Sequence, residues 1–94
     1  MIRACLLICS LCLILVAGAN AQQVMVTGCA KAGVEAGCVV LKSGNKMYDI
    51  TAATPKPQPN TFGTVRGKIS KGPTTCMQGT PLKPATWHPT KKKC

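Results

Sequence analysis

The sequence predicts an all-β fold, a small and partly open barrel of five short strands. Short runs that favour strands alternate with turn residues throughout residues 22–94, and no stretch repeats its apolar residues at helical spacing. These 94 − 21 = 73 residues form a single small domain, in which a hydrophobic core alone gives marginal stability. Four cysteines in the same stretch can supply the missing stability as disulfides.

The first three strands are predicted from runs that end at turn residues. Val24–Cys29 alternates in character, and the connection Lys31–Gly37 separates it from the apolar run Cys38–Lys42. The sequence Ser43–Asn45 is typical of a tight turn, so Lys46–Thr51 is expected to return as the third strand.

The fourth strand, Thr64–Ser70, has the clearest alternation in the chain. Val65, Gly67 and Ile69 fall on one face of this strand. Arg66, Lys68 and Ser70 fall on the other face. One face is therefore expected to enter the core, and the opposite face is expected to be basic and solvated.

Prolines shape the rest of the domain. Pro55, Pro57 and Pro59 alternate with polar residues, so Ala52–Gly63 is expected to be an extended surface loop. The fifth strand, Thr80–Trp87, contains two prolines, which favour an edge position. The predicted core consists of apolar strand residues, with two partly buried aromatics: Val24, Val26, Val39, Leu41, Ile50, Val65, Ile69 and Leu82, with Tyr48 and Trp87.

Residues 1–21 are predicted to be a cleaved secretory signal peptide. Met1–Arg3 is basic, Ala4–Ala17 is almost wholly apolar, and Ala19–Ala21 is a small-x-small cleavage motif. The apolar run is shorter than the roughly 20 residues that a membrane-spanning helix needs. We therefore expect a secreted or periplasmic product without stable membrane insertion, and an uncleaved anchor is the alternative.

Residues 22–94 are strongly basic. They contain 12 − 1 = 11 of the lysines and arginines, against Glu35 and Asp49, so their net charge is 11 − 2 = +9. Such a field attracts polyanions, and the candidates outside the cytosol are lipopolysaccharide, acidic glycans and nucleic acid. The alternative is that the charge serves only solubility.

The candidate binding residues are the cations of the fourth strand, of the turn between the second and third strands, and of the C-terminal segment. Only Tyr48, Phe62 and Trp87 could stack on bases, which favours an acidic glycan or envelope surface over single-stranded nucleic acid. A lysine run alone is more typical of a solvated tail. The predicted polyanion site comprises Arg66, Lys68, Lys42, Lys46, Lys91, Lys92 and Lys93.

The alternative to polyanion binding is a protein-interaction or structural role. In that case the proline-rich stretch Pro55–Pro59 or a sheet edge would contact another exported protein. Binding that survives high salt would favour this alternative.

Catalytic and metal-binding residues are scarce. His88 is the single histidine, and no serine lies in a motif that would activate it as a nucleophile. The cysteines at positions 29, 38, 76 and 94 are 9, 38 and 18 residues apart, which fits neither a zinc site nor a redox motif. We therefore expect a non-enzymatic protein with no cofactor and no metal.

Five short elements recur in a recognisable order: Val26–Gly28, Gly33–Cys38, Tyr48–Ile50, Val65–Gly67 and Cys76–Gly79. Together they resemble a group of small exported bacterial domains of unknown function with an OB-like barrel. The more specific elements are Gly-Val-Glu-Ala-Gly-Cys and Cys-Met-Gln-Gly. The resemblance spans nearly all of residues 22–94 and implies an OB-like fold, but no activity. In other OB domains, an open sheet face binds oligonucleotides and oligosaccharides.

The resemblance also implies a disulfide pairing. Cys38 and Cys76, which lie in the two specific elements, would form one bond, and Cys29 and Cys94 would form the other. The residues alone leave three pairings open. The main alternative joins Cys29 to Cys38 and Cys76 to Cys94.

Overall fold

The computed structural model describes residues 23–94 and confirms the all-β prediction. Its strands lie close to the predicted runs and form one closed barrel. The predicted signal peptide, residues 1–21, lies outside the described residues. The five strands are β1 (Gln23–Ala32), β2 (Val39–Ser43), β3 (Lys46–Asp49), β4 (Thr61–Ile69) and β5 (Thr80–Pro89).

The strand order around the barrel is β1-β2-β3-β5-β4, and β4 returns to β1. Four of the pairings are antiparallel, and the pairing of β3 with β5 is parallel. This parallel contact has only two residue pairs, Tyr48 with Thr80 and Asp49 with Pro81. The prediction of a partly open barrel is therefore corrected, because this short pairing closes the sheet.

β1 is long enough to serve two neighbours. It pairs with β4 from Gln23 to Ala30, and with β2 from Ala30 to Ala32. Ala30 is the residue common to both pairings, and it faces Leu41 on one side and Thr61 on the other. The sheet therefore curves around β1, as a barrel of five strands requires.

The core follows the alternation read from the sequence. Trp87 is only 3% exposed and belongs fully to the core, whereas Val24 and Ile69 are only partly buried. Three alanines that were not predicted also fill the interior. The buried core cluster comprises Val26, Ala30, Val39, Leu41, Ile50, Ala53, Val65, Leu82, Ala85 and Trp87.

The prediction of a surface loop over 52–63 is confirmed for residues 52–60, which lie outside the five strands and are mostly exposed. Thr61–Gly63 already forms part of β4, and the side chain of Pro57 is fully buried. The amide of Thr54 donates to the carbonyl of Ala85 at 3.0 Å, and the amide of Trp87 donates to the carbonyl of Thr54 at 3.0 Å. The segment is thus attached to β5 by a single isolated bridge between Thr54 and Thr86.

A β-bulge accounts for a proline within β5. Gly67 pairs with Ala85, but two residues further along β4, Ile69 pairs with Leu82. Lys83 and Pro84 therefore oppose the single residue Lys68. A bulge leaves ladder positions unpaired, so Pro84 fits there although it has no amide hydrogen to donate.

Two disulfides join Cys29 to Cys94 and Cys38 to Cys76, the pairing that the resemblance implies. Their Cα–Cα distances are 5.6 and 5.9 Å. Disulfides form and persist mainly in oxidising compartments, so the fold is suited to such a compartment.

Gly63 allows β4 and β5 to approach closely. A Cβ atom at this position would lie 2.5 Å from the carbonyl oxygen of His88 and 2.7 Å from a ring carbon of Trp87.

We expect Gly63→Ala to lower the free energy of unfolding by about 1–3 kcal/mol, because the backbone of β5 would have to move. Urea denaturation measures this change. Gly72→Ala is the control, since its nearest atom would be the Ser70 Oγ at 3.9 Å. Equal losses in the two variants would contradict the steric explanation.

Candidate functional site

Arg66 and Lys68 lie exposed on the outer face of β4, opposite the buried Val65 and Gly67. The residues that surround Arg66 and Lys68 on this face are set by the pairing register of β4 with β1 and β5. The hydroxyls of Thr27 and Thr64 are hydrogen-bonded to each other at 2.8 Å. Two rows of outward residues cross β1, β4 and β5, namely Met25–Arg66–Thr86 and Thr27–Thr64–His88.

The C-terminal segment is held against the same face. The Cys29–Cys94 disulfide fixes its end to β1 at the residue that pairs with Phe62. The amide of Thr90 donates to the carbonyl of Phe62 at 2.8 Å, and the Nζ of Lys92 lies 4.8 Å from the centre of the Phe62 ring. This last contact is a cation–π interaction. The lysines of the segment are exposed but tethered to the barrel.

These residues form a continuous surface about 20 Å long from Phe62 to Lys68, at roughly 3.4 Å per residue. None of its residues is acidic. Glu35 lies in the β1–β2 loop, and Asp49 is buried at the end of β3. We call this surface the basic band, and it consists of Met25, Thr27, Phe62, Thr64, Arg66, Lys68, Thr86, His88, Lys91, Lys92 and Lys93.

The other two predicted site residues lie outside the basic band. Lys42 is exposed on β2, which adjoins β1 on the side away from β4. Lys46 begins β3 and pairs with Ser43 across the tight turn. Neither β2 nor β3 pairs with β4, so the structure gathers Arg66, Lys68 and the tail lysines and leaves Lys46 on another part of the wall.

Reasoning from the sequence missed two residues at or beside this surface. His88 was weighed only for catalysis and metal binding, yet it pairs with Thr64 and is exposed within the band. Lys83 lies in the bulge opposite Lys68. Extending the alternation of β4 back to Phe62 would have predicted part of the band. The pairing register that places β5 residues beside β4 has no signal in the sequence.

The outer face of β2 and β3 is covered at one end, at the pair Val40 and Asp49. Val40 and Asp49, which pair with each other, are 4% and 3% exposed although they point away from the core side chains of Val39 and Leu41. The β4–β5 loop, residues 70–79, lies against Asp49 through Thr74.

The covering loop is fixed by several bonds. The Cys38–Cys76 disulfide joins it to the start of β2. The hydroxyl of Thr74 donates to the Oδ2 of Asp49 at 3.0 Å. The Oε1 of Gln78 accepts a hydrogen bond from the amide of Val34 at 2.8 Å, which links the loop to the β1–β2 loop. The cover is therefore part of the folded structure.

Two cavities lie beside these loops. The first, of about 300 Å³, is bounded by the end of β3, the β4–β5 loop and the start of β5. The second, of about 330 Å³, lies between the β1–β2 loop and the proline-rich segment, and Glu35, Lys56 and Pro57 are among its lining residues. Neither cavity was predicted, because both arise where distant segments of the chain meet.

The aromatic side chains offer little stacking surface. Trp87 is in the core, Tyr48 packs against the core, and Phe62 is covered by Lys92. Because single-stranded nucleic acid binds through exposed aromatic rings as well as cations, the basic band lacks one of the two usual components.

Comparisons with protein-family models, with curated proteins and with solved structures find no match to this chain. Within residues 23–94, no helix is long and apolar enough to cross a membrane. In the same part of the chain, no three His, Cys, Asp or Glu side chains gather into a group that could hold a metal ion.

Proposed function

We propose that this chain is an exported, non-enzymatic module that binds an acidic glycan along the basic band. The observation that carries the proposal is that the cations of β4 and of the tethered C-terminal segment lie on one face, with no Asp or Glu side chain among them. A linear polyanion laid along β4 would meet Lys92, His88, Arg66 and Lys68 in turn. The net charge of +9 for residues 22–94 would raise the local concentration of such a polymer.

The choice of a glycan over nucleic acid rests on the aromatic residues. Sugar acids need cations and hydrogen-bonding groups, and the hydroxyls of Thr27, Thr64 and Thr86 stand between the charges. Nucleic acid binding would in addition use exposed rings, and Phe62 already contacts Lys92. The glycan could belong to a free polysaccharide or to an envelope surface such as lipopolysaccharide.

Further parts of the proposal concern fold and compartment. The strand order, with its parallel contact between β3 and β5, supports an OB-like barrel, which agrees with the resemblance of the Gly33–Cys38 and Cys76–Gly79 elements to small exported domains. The two disulfides and the basic, apolar and small-residue pattern of residues 1–21 support secretion or a periplasmic location.

Protein interaction through the proline-rich segment or a sheet edge has less support. Pro57 is fully buried, and Thr54 pairs with the groups of β5 that would otherwise form the edge. A glycan on the basic band uses surface that is already exposed.

The test is a titration of the oxidised protein with polygalacturonate, lipopolysaccharide and a single-stranded DNA, at low and physiological salt. We expect the double variant Arg66→Ser/Lys68→Ser to weaken polygalacturonate binding. The slope of log K against log salt should fall by roughly 1.4, if each lost cation contributes about 0.7 as in single-stranded polyanions.

The matched control is Lys46→Ser/Lys56→Ser, which removes the same charge from two exposed lysines outside the basic band. It should retain most of the affinity. If both double variants lose affinity equally, the polyanion is attracted by the net charge of the protein and not by a specific site. If DNA binds more tightly than both glycans at physiological salt, the choice of ligand is wrong.

A further inference from the structure

The cavity under the β4–β5 loop adjoins one end of the basic band. Its volume is about 300 Å³. Lys83, which lines it, lies in the bulge opposite Lys68, so the cavity begins where the band ends. Its polar lining is given by Asp49, Thr51, Ser70, Thr74, Thr75 and Lys83.

Asp49 is the unusual member of this lining, since it is a charged residue that is only 3% exposed. Its Oδ1 accepts a hydrogen bond from the amide of Thr51 at 3.0 Å, and its Oδ2 accepts one from the hydroxyl of Thr74 at 3.0 Å. Both donors are neutral groups. Each carboxylate oxygen can accept a second hydrogen bond, and a buried carboxylate is stabilised by every additional donor.

The charges around the cavity select the chemistry of an occupant. Asp49 repels an anion, whereas Lys83 and the net charge of +9 disfavour a free cation. A neutral molecule with several hydroxyls fits both conditions, because it can donate to Asp49 and accept from the hydroxyls of Ser70 and Thr75. Pro73 and Pro81 add apolar surface against which the C–H face of a sugar ring could pack.

The size and rigidity of the cavity fit a small ligand. Its volume lies at the lower end of the roughly 300–1,000 Å³ typical of small-molecule sites. The loop that roofs it is held by the Cys38–Cys76 disulfide and by a hydrogen bond from the amide of Cys76 to the hydroxyl of Thr74 at 3.2 Å. Little ordering would therefore be needed when a ligand enters.

We propose that this cavity binds one neutral sugar unit, whose hydroxyls donate hydrogen bonds to the carboxylate of Asp49. The inference rests on the proposed function in one respect, that the polymer on the basic band is a glycan. A glycan that alternates charged and neutral sugars would then place acidic groups on Lys68 and Lys83 and a neutral ring beside Asp49.

The experiment uses neutral sugars in high salt, where the basic band contributes little. The ¹⁵N-labelled, oxidised protein is titrated with maltotriose, cellotriose and triacetylchitotriose in 0.5 M sodium chloride, which is roughly fivefold the salt that gives a 10 Å Debye length. We expect at least one trisaccharide to shift the amides of Thr51, Thr74 and Leu82. Asp49→Asn should weaken that binding about tenfold, because hydrogen bonds to a charged acceptor are the stronger kind.

Asp49→Asn preserves the shape of the side chain, and its amide can still pair with the Thr51 amide and the Thr74 hydroxyl. Glu35→Gln removes the same charge from the exposed β1–β2 loop and should leave the sugar affinity unchanged. Ala52→Leu, at an exposed position in the lining, should narrow the cavity and weaken binding without touching Asp49.

The two proposals fail in different ways. If no trisaccharide shifts these amides, or if Asp49→Asn binds as well as the parent protein, the sugar site is wrong, whatever polygalacturonate does. If ethanolamine or calcium chloride shifts the same amides and no sugar does, the site takes a cation and the assignment is also overturned. A parent protein that binds a trisaccharide but does not bind polygalacturonate would instead refute the role of the basic band.

Discussion

Replacing Cys38 and Cys76 together by alanine is expected to lower the free energy of unfolding by about 4 kcal/mol, the chain-entropy value for a loop of this length. The bond closes a separation of 38 residues. It also holds the β4–β5 loop against Asp49, whose carboxylate accepts a hydrogen bond from Thr74. For a domain of this size, such a loss is a large part of the total stability. Urea denaturation followed by circular dichroism measures it.

The matched control is the double variant Cys29→Ala/Cys94→Ala, whose bond closes the longer separation of 65 residues. Chain entropy alone predicts a similar or slightly larger loss for this variant. If the variant without the Cys38–Cys76 bond loses more unfolding free energy, the difference measures how much the packing of the β4–β5 loop on the sheet contributes to stability. A loss below about 1 kcal/mol would show that the loop holds its place without the bond.

Trp87→Ala is expected to have the second largest effect, a loss of about 3–5 kcal/mol in the free energy of unfolding. The side chain is 3% exposed and belongs to the core cluster. Its ring also lies against Gly63, where β4 has no side chain to fill the space that the ring would leave. Circular dichroism is the suitable readout, because the variant lacks the only tryptophan and its fluorescence.

His88→Ala is the control for this substitution, since it removes the neighbouring ring from the outer face of the same strand. We expect a change within about 0.5 kcal/mol, as for other exposed positions. If Trp87→Ala and His88→Ala cost the same, Trp87 does not have the place in the core that is described above.

Local patterns predicted the fold well because alternation and turn residues act over short distances. The alternation of Val65, Gly67 and Ile69 with Arg66 and Lys68 was sufficient to assign the two faces of β4. All five strands were predicted near their observed positions for the same reason.

The features that the sequence could not predict all depend on contacts between distant segments. The barrel is closed by two residue pairs between β3 and β5, and no local sequence pattern predicts this pairing. Pro57 lies in a loop, as its sequence context predicts, but it is fully buried, and it lines a cavity together with residues of the β1–β2 loop.

The candidate site shows the same division. Arg66 and Lys68 could be assigned to one face from their spacing alone. The addition of His88 and Met25 required the register of three strands, and the cavity beside Asp49 required the fold of the β4–β5 loop. The place of Lys46, away from the others, also follows only from the strand order.

The two disulfides are nested, since the Cys29–Cys94 bond encloses the whole segment bridged by Cys38 and Cys76. A protease that cuts one peptide bond anywhere between Cys29 and Cys94 therefore releases no fragment. The two pieces stay covalently joined, and the cut adds only the mass of one water molecule. In surroundings rich in proteases, a nicked molecule would keep its strands together and its lysines in place until a reductant reached the sulfur atoms.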